Sequence, residues 1–161
     1  MTAQRLDWHD AQNLAAGTVL GLINLPAVTM TQLVYYCAAA RVTDPIHYDR
    51  DFARRAGFPD AVVNGSLRIA WLTQAMSDFV EPPDFVSSLR CAHRGPMYVG
   101  QALSLEVRVT APAENENEGC VLHCEVIGRL GDTVIDHAEG SLTLARLIAK
   151  PDAPLKLQSA I

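Results

Sequence analysis

The chain reads as an α+β domain in which one apolar helix is wrapped by a curved run of antiparallel strands. Three observations carry this. Leu67 to Phe79 is helical and apolar over most of its circumference, through Leu67, Ile69, Ala70, Trp71, Leu72, Ala75, Met76 and Phe79, so something has to enclose it. Four strand-like runs follow: Phe85 to His93, Ala102 to Val109, Gly119 to Arg129 and Thr133 to Leu147. The second alternates cleanly, with Leu103, Leu105, Val107 and Val109 on one face and Ser104, Glu106 and Arg108 on the other. At 161 residues the chain is long enough for one domain with its own core.

Taken in order, residues 1–16 are a polar extension expected to pack loosely, with Trp8 and Leu14 as anchors. The domain itself covers 17–149, and 150–161, with two prolines, read as a tail. Val19 to Leu25 is a first strand that Pro26 stops. Thr29 to Gln32 fits a capping box, and Leu33, Tyr36, Cys37 and Ala40 then recur at helical spacing. Pro45 forbids continuation of that helix and biases Asp44 towards extended backbone, so His47 sits on a stiff loop. Asp49 N-caps a short helix, Arg50 to Ala56, which Gly57 closes. After the Pro59-Asp60 turn, Ala61-Val62-Val63 is strand-like. Asn64-Gly65-Ser66 opens the long apolar helix and points its free N–H groups back towards the His47 loop. Glu81-Pro82-Pro83 ends that helix. Glu114 to Gly119 is a solvated acidic hairpin tip, and Leu130-Gly131-Asp132 turns between the last two strands.

Composition narrows the function. A net charge of −5 offers no basic face for nucleic acid, but it does not exclude a phosphate-bearing small ligand, for which a few local arginines suffice. The first ten residues lack an apolar core of the signal-peptide kind, and no apolar run approaches a membrane span, so a cytoplasmic protein is expected. Cys37, Cys91, Cys120 and Cys124 form no Cys-x-x-Cys pair and are expected as buried thiols, not as a metal site. Cys120 and Cys124 share a strand face but lie too far apart for an easy disulfide; His123 points the other way, which weakens a Cys–His nucleophile.

The stretch from Tyr36 to Ser66 carries the functional signal. Pro45, Ile46, His47, Asp49, Ala53, Gly57, Phe58, Pro59, Val62 and Gly65 match the pattern Gly-Asp-x-Asn-Pro-Ile-His-x-Asp, Ala, Gly-Phe/Tyr-Pro, Val-x-His-Gly. In this the chain resembles the MaoC-like hydratases, the (R)-specific enoyl-CoA hydratase branch of the hotdog fold. Arg94-Gly95-Pro96-Met97-Tyr98-Val99-Gly100 is similar to the family's Arg-x-Pro-Val-x-x-Gly-Asp turn, with Gln101 in place of the Asp. Arg41, and Asn64 where the family has His, look like the small subunits of heteromeric steroid side-chain hydratases, which would place the chain in lipid or steroid catabolism. The resemblance covers roughly residues 17 to 147. One departure matters: the family's catalytic Asp lies five residues before the His, and Val42 stands there.

The resemblance implies the following roles. His47 would exchange a proton with the substrate α-carbon or with water, and a structural imidazole is the alternative. Asp44 is the nearby carboxylate able to replace the missing partner; it occupies the family's Asn position, where a turn role competes. The backbone N–H groups of Gly65 and Ser66 would polarise the thioester carbonyl, although Gly65 is equally compatible with close packing. Val42 and Asn64 would touch the substrate cleft. Arg41, Arg68 and Arg94 are candidates for CoA phosphates, each more readily explained as surface solvation. The leading reading is a hydratase or dehydratase acting on a 2-enoyl thioester, with acyl-CoA as substrate and no separate cofactor. A non-catalytic hotdog subunit that binds acyl-CoA or completes a heteromer is the alternative, and a hotdog thioesterase the third. A homodimer or a heteromer with another hotdog chain is expected.

Overall fold

The computed structural model describes residues 5–116 and 119–145. The elements are α1 (Trp8–Gln12), β1 (Val19–Leu25), α2 (Met30–Ala40), a 3₁₀ turn (Pro45–His47), α3 (Arg50–Arg55), α4 (Gly65–Ser77), β2 (Phe85–His93), β3 (Leu103–Glu116), β4 (Gly119–Leu130) and β5 (Thr133–Ala145). The strands form one five-stranded sheet in the order β1-β3-β4-β5-β2. Every pairing is antiparallel. The predicted tail, 150–161, and part of the acidic hairpin tip lie outside the described residues.

The sheet packs its inner face on α4. Leu103, Leu105, Val107 and Val109 of β3 are all buried, as their alternation requires. Leu122 and Val126 of β4, with Leu142 and Leu144 of β5, continue the same layer. From α4, Leu67, Leu72, Ala75 and Met76 enter it, and Phe79 follows just beyond the helix end. Glycines set how closely the layers approach. At Gly140 a Cβ would come within 2.5 Å of the Ser88 carbonyl and 3.0 Å of Met76 Sδ. At Gly21 it would meet the Phe79 ring at 2.9 Å.

Several expectations change. The helix is not enclosed all round: the sheet covers one side, leaving Ile69 40% exposed, Ala70 exposed and Trp71 half-buried. Counting apolar residues cannot separate a helix wrapped on all sides from one whose second side is left for another surface. The N-terminal extension contains a short helix, α1, with a reciprocal Asp7–Asp10 capping box; its Ala11 is fully buried, and Leu6, Trp8 and Leu14 pack on the core. β3 runs on well past Val109, because two register shifts against β4 let pairing resume beyond the Pro112 interruption. Ala61 to Val63 is a single bridge, Val62 to Tyr98, rather than a strand.

Candidate active site

The site is built by three short segments laced together by backbone bonds. Arg41 ends α2 in the left-handed conformation (φ 54°), and the Val42 N–H donates to the Cys37 carbonyl at 2.9 Å. Asp44 then caps the 3₁₀ turn, its Oδ1 accepting from the Ile46 N–H at 3.2 Å. The Tyr48 hydroxyl donates to the Thr43 carbonyl at 2.9 Å and pins the loop from its far side. Asp49 accepts from the N–H groups of Asp51 and Phe52, each at 2.9 Å, and starts α3 as a cap. The Val62 N–H donates to the Ile46 carbonyl at 2.9 Å, and the Val63 N–H to the Met97 carbonyl at 2.8 Å. This lacing brings the His47 loop, the entry to α4 and the Met97 turn together.

His47 is half-buried, and its Nδ1 lies 2.7 Å from the Val62 carbonyl oxygen. A carbonyl only accepts, so Nδ1 carries the proton and the neutral ring presents its lone pair at Nε2. Three residues after Val62, α4 begins at Gly65. Its first turn leaves the N–H groups of Gly65, Ser66 and Leu67 without helical acceptors, and the Asn64 side chain does not cap them. Asn64 is buried, its Oδ1 facing the Cys37 thiol 3.7 Å away. The Asp44 carboxylate, occupied with its own turn, makes no hydrogen bond to the His47 ring. Val42, half-buried, lines a mostly apolar hollow of about 430 Å³ with Val34, Cys37, Ala38 and Tyr48, and with Arg41 and Thr43 beside it.

Arg68 is a correction. Expected on the surface, it is buried and forks onto Asp136, with Nη2 to Oδ1 at 2.6 Å and Nε to Oδ2 at 3.1 Å. It also donates to the carbonyls of Gly95 (2.9 Å) and Ile135 (3.0 Å). Arg68 stands in the first turn of α4, at the start of the inward stripe it forms with Leu72, Ala75 and Met76. The same carboxylate holds His93, whose Nδ1 is 2.5 Å from Asp136 Oδ1. A register shift beside Gly128 and Arg129 places both Ile135 and Asp136 inward. Gly128, opposite Asp136, makes room for it: a Cβ there would fall 2.8 Å from Asp136 Cβ. Neither His93 nor Asp136 was singled out from sequence. A signal existed, since Asp136 shares the strand parity of the buried Ala138, Leu142 and Leu144. Arg41 and Arg94 are exposed, as expected.

Burial raises the Cys91 thiol above its ordinary value; Asp136 adds to the rise and Arg68 opposes it. All four cysteines are free thiols, and no cluster able to hold a metal occurs among the described residues. No helix of the described residues is long and apolar enough to cross a membrane.

Comparison with known proteins agrees with this architecture. A mitochondrial 3-hydroxyacyl-acyl-carrier-protein dehydratase, FERN, of Solanum lycopersicum is 26% identical over 117 residues, 72% of this chain and 70% of that protein. The ChsH1-ChsH2 complex of Mycobacterium tuberculosis matches with a TM-score of 0.70 at 24% identity, over 81% of this chain and 98% of that one. The (R)-hydratase of A. caviae involved in PHA biosynthesis matches with a TM-score of 0.67 at 20% identity, over 83% and 99%. These structural likenesses establish the hotdog fold. The MaoC-like domain model matches residues 13–125, well over half of the sequence, and the chain therefore belongs to the MaoC-like dehydratase family.

Proposed function

We propose that this chain is a hydro-lyase subunit that adds water to, or removes it from, the acyl group of a thioester, with acyl-CoA as substrate. The observation that carries the reading is the 2.7 Å bond from His47 Nδ1 to the carbonyl of Val62, three residues before α4 begins, which supports Nε2 as the nitrogen that exchanges a proton. A thioester oxygen seated on the N–H groups of Gly65 and Ser66 receives two donors and the positive end of the helix dipole, which stabilise an enolate. The acyl group then lies towards Val42 and Asn64. Asp44 is exposed and near His47 in sequence; its carboxylate joins the chemistry only by releasing the Ile46 N–H.

The A. caviae neighbour and the tomato protein support this reading by the chemistry their names carry: hydration in one, dehydration of a 3-hydroxyacyl-acyl-carrier protein in the other. A second reading, a binding subunit that completes a heteromer, draws on Val42. An apolar side chain at that position, lining a hollow of about 430 Å³, suits an acyl chain better than a proton. The likeness to a chain of the ChsH1-ChsH2 complex favours a hotdog partner for this protein too. The test measures hydration of crotonyl-CoA and of a long-chain 2-enoyl-CoA by the purified chain, alone and mixed with a second hotdog subunit encoded beside it. Turnover that falls about a hundredfold or more in His47→Ala supports the hydro-lyase reading. Full activity in His47→Ala would falsify it. Turnover in the mixture alone, insensitive to His47, assigns the chain to the binding role.

A further inference from the structure

A second imidazole stands at the same helix entry, and the chemistry proposed above does not use it. His93 ends β2 directly across from Asp136 of β5. Asp136 is fully buried, and Arg68 donates to both of its oxygens. A carboxylate so held acts as an acceptor towards His93 as well. The proton of the neutral ring is therefore on Nδ1, 2.5 Å from Oδ1, and the lone pair is on Nε2. This is the orienting role that a buried aspartate plays for a proton-transferring histidine. The ring keeps 28% of its side-chain surface exposed, so a ligand can reach it. Its Nε2 has no hydrogen-bond partner among the described residues, and it lies over the first residue of α4: a Cβ on Gly65 would sit 3.3 Å from it. A side chain at position 65 would press the ring back by a few tenths of an ångström, so glycine allows its closest approach to the helix backbone.

We propose that His93 is a second catalytic residue of this site, oriented by Asp136 and Arg68, and that with His47 it supplies the acid–base pair which Val42 leaves incomplete. The proposal rests on the hydro-lyase reading. A 3-hydroxyacyl thioester whose carbonyl oxygen is bound at the Gly65 and Ser66 N–H groups brings its α-carbon beside His93 Nε2. In dehydration, Nε2 takes the α-proton and the C–H electron pair passes into the enolate. The pair then forms the α–β double bond as the β-hydroxyl leaves with a proton from the protonated His47, departing as water. His93 ends protonated and His47 neutral, and exchange with solvent restores both. Hydration is the reverse. Gly65 thus has two duties: its N–H faces the oxygen, and its bare Cα leaves room for the base.

The test uses the full chain, with its hotdog partner if activity requires one. His93→Gln keeps a donor for Asp136 but removes the base; Asp136→Asn keeps the shape but removes the negative charge that supports the ring as it takes up a proton, and leaves Arg68 and His93 one acceptor oxygen to share. Turnover of crotonyl-CoA is measured beside calorimetric binding of butyryl-CoA, which has the thioester but nothing to hydrate. The expected result is a kcat lowered about a hundredfold or more in both variants. Butyryl-CoA affinity should stay within about threefold of wild type, a split that a merely structural role does not produce. In the unaltered protein, butyryl-CoA should shift the His93 Nε2 resonance in nitrogen-edited NMR, a reading that does not depend on either variant folding. A kcat within about threefold of wild type in His93→Gln, or a resonance that butyryl-CoA leaves in place, overturns the role of His93 while the hydro-lyase reading stands. Absence of turnover in the unaltered protein, with and without the partner, removes that reading and this proposal together.

Discussion

Replacing Asp136 with leucine leaves the Arg68 guanidinium in the core without its counter-charge. The side chains are 4% and 0% exposed, so water cannot take over the lost interaction. Breaking such a pair from one side costs about 3–5 kcal/mol. The lower end is expected here, because Arg68 keeps the carbonyls of Gly95 and Ile135 as acceptors. Arg68→Met strips Asp136 of two donors and leaves it with His93 alone, at a similar cost. For a chain of this length each kcal/mol is about 2–4 °C in Tm, so each single variant should melt roughly 6–20 °C lower. The double variant Arg68→Met/Asp136→Leu buries no unpaired charge and should cost no more than either single variant, a coupling energy of about 3 kcal/mol or more. Thermal melts at fixed protomer concentration read this directly. Single losses below about 1 kcal/mol, or losses that simply add in the double variant, would refute the buried fork.

Gly140→Ala drives a methyl to 2.5 Å from the Ser88 carbonyl and 3.0 Å from Met76 Sδ; backbone cannot yield cheaply, so a loss of about 1–3 kcal/mol is expected in urea unfolding, and an unchanged midpoint argues against the close approach of β5 and β2. Phe79→Ala, at a ring only 1% exposed, should cost about 3–5 kcal/mol, and the half-buried Trp71→Ala clearly less; the reverse order in paired melts would place the wrong ring in the core. Burial pushes the Cys124 thiol from 9.0 up to about 12. Above 9.0 the unfolded chain releases this proton and the folded chain keeps it. Stability should therefore fall between pH 9.0 and about 12, by about 1.4 kcal/mol per pH unit, and equal urea midpoints at about pH 8 and about pH 10 would count against it. The outer edges of β1 and β2 are unpaired in the single chain, and Leu22 and Phe85 lie 61% and 54% exposed there. Light scattering at micromolar concentration should find a dimer or a heteromer, and a monomer would contradict edge pairing.

The sheet and its helix were legible because local rules suffice for them. Period-two alternation in β3 named its four buried residues, and Pro26, Pro45, Gly57 and Asp49 punctuated the chain where the structure starts and stops its elements. The His47 loop was legible for the same reason, since proline and Asx-turn chemistry act within a few residues. What the sequence by itself determined is thus the α+β class, the strand faces, the caps, and the placing of an imidazole just upstream of a helix entry. The tertiary structure decided the partners. Arg68, Asp136 and His93 lie on α4, β5 and β2; their side chains meet because strand register sets His93 opposite Asp136 and because Gly128 leaves space beside them. Register is fixed by how whole faces pack, not by any neighbour in sequence. Burying a guanidinium becomes favourable only once a carboxylate and two carbonyls from distant segments converge on it, which local sequence cannot state.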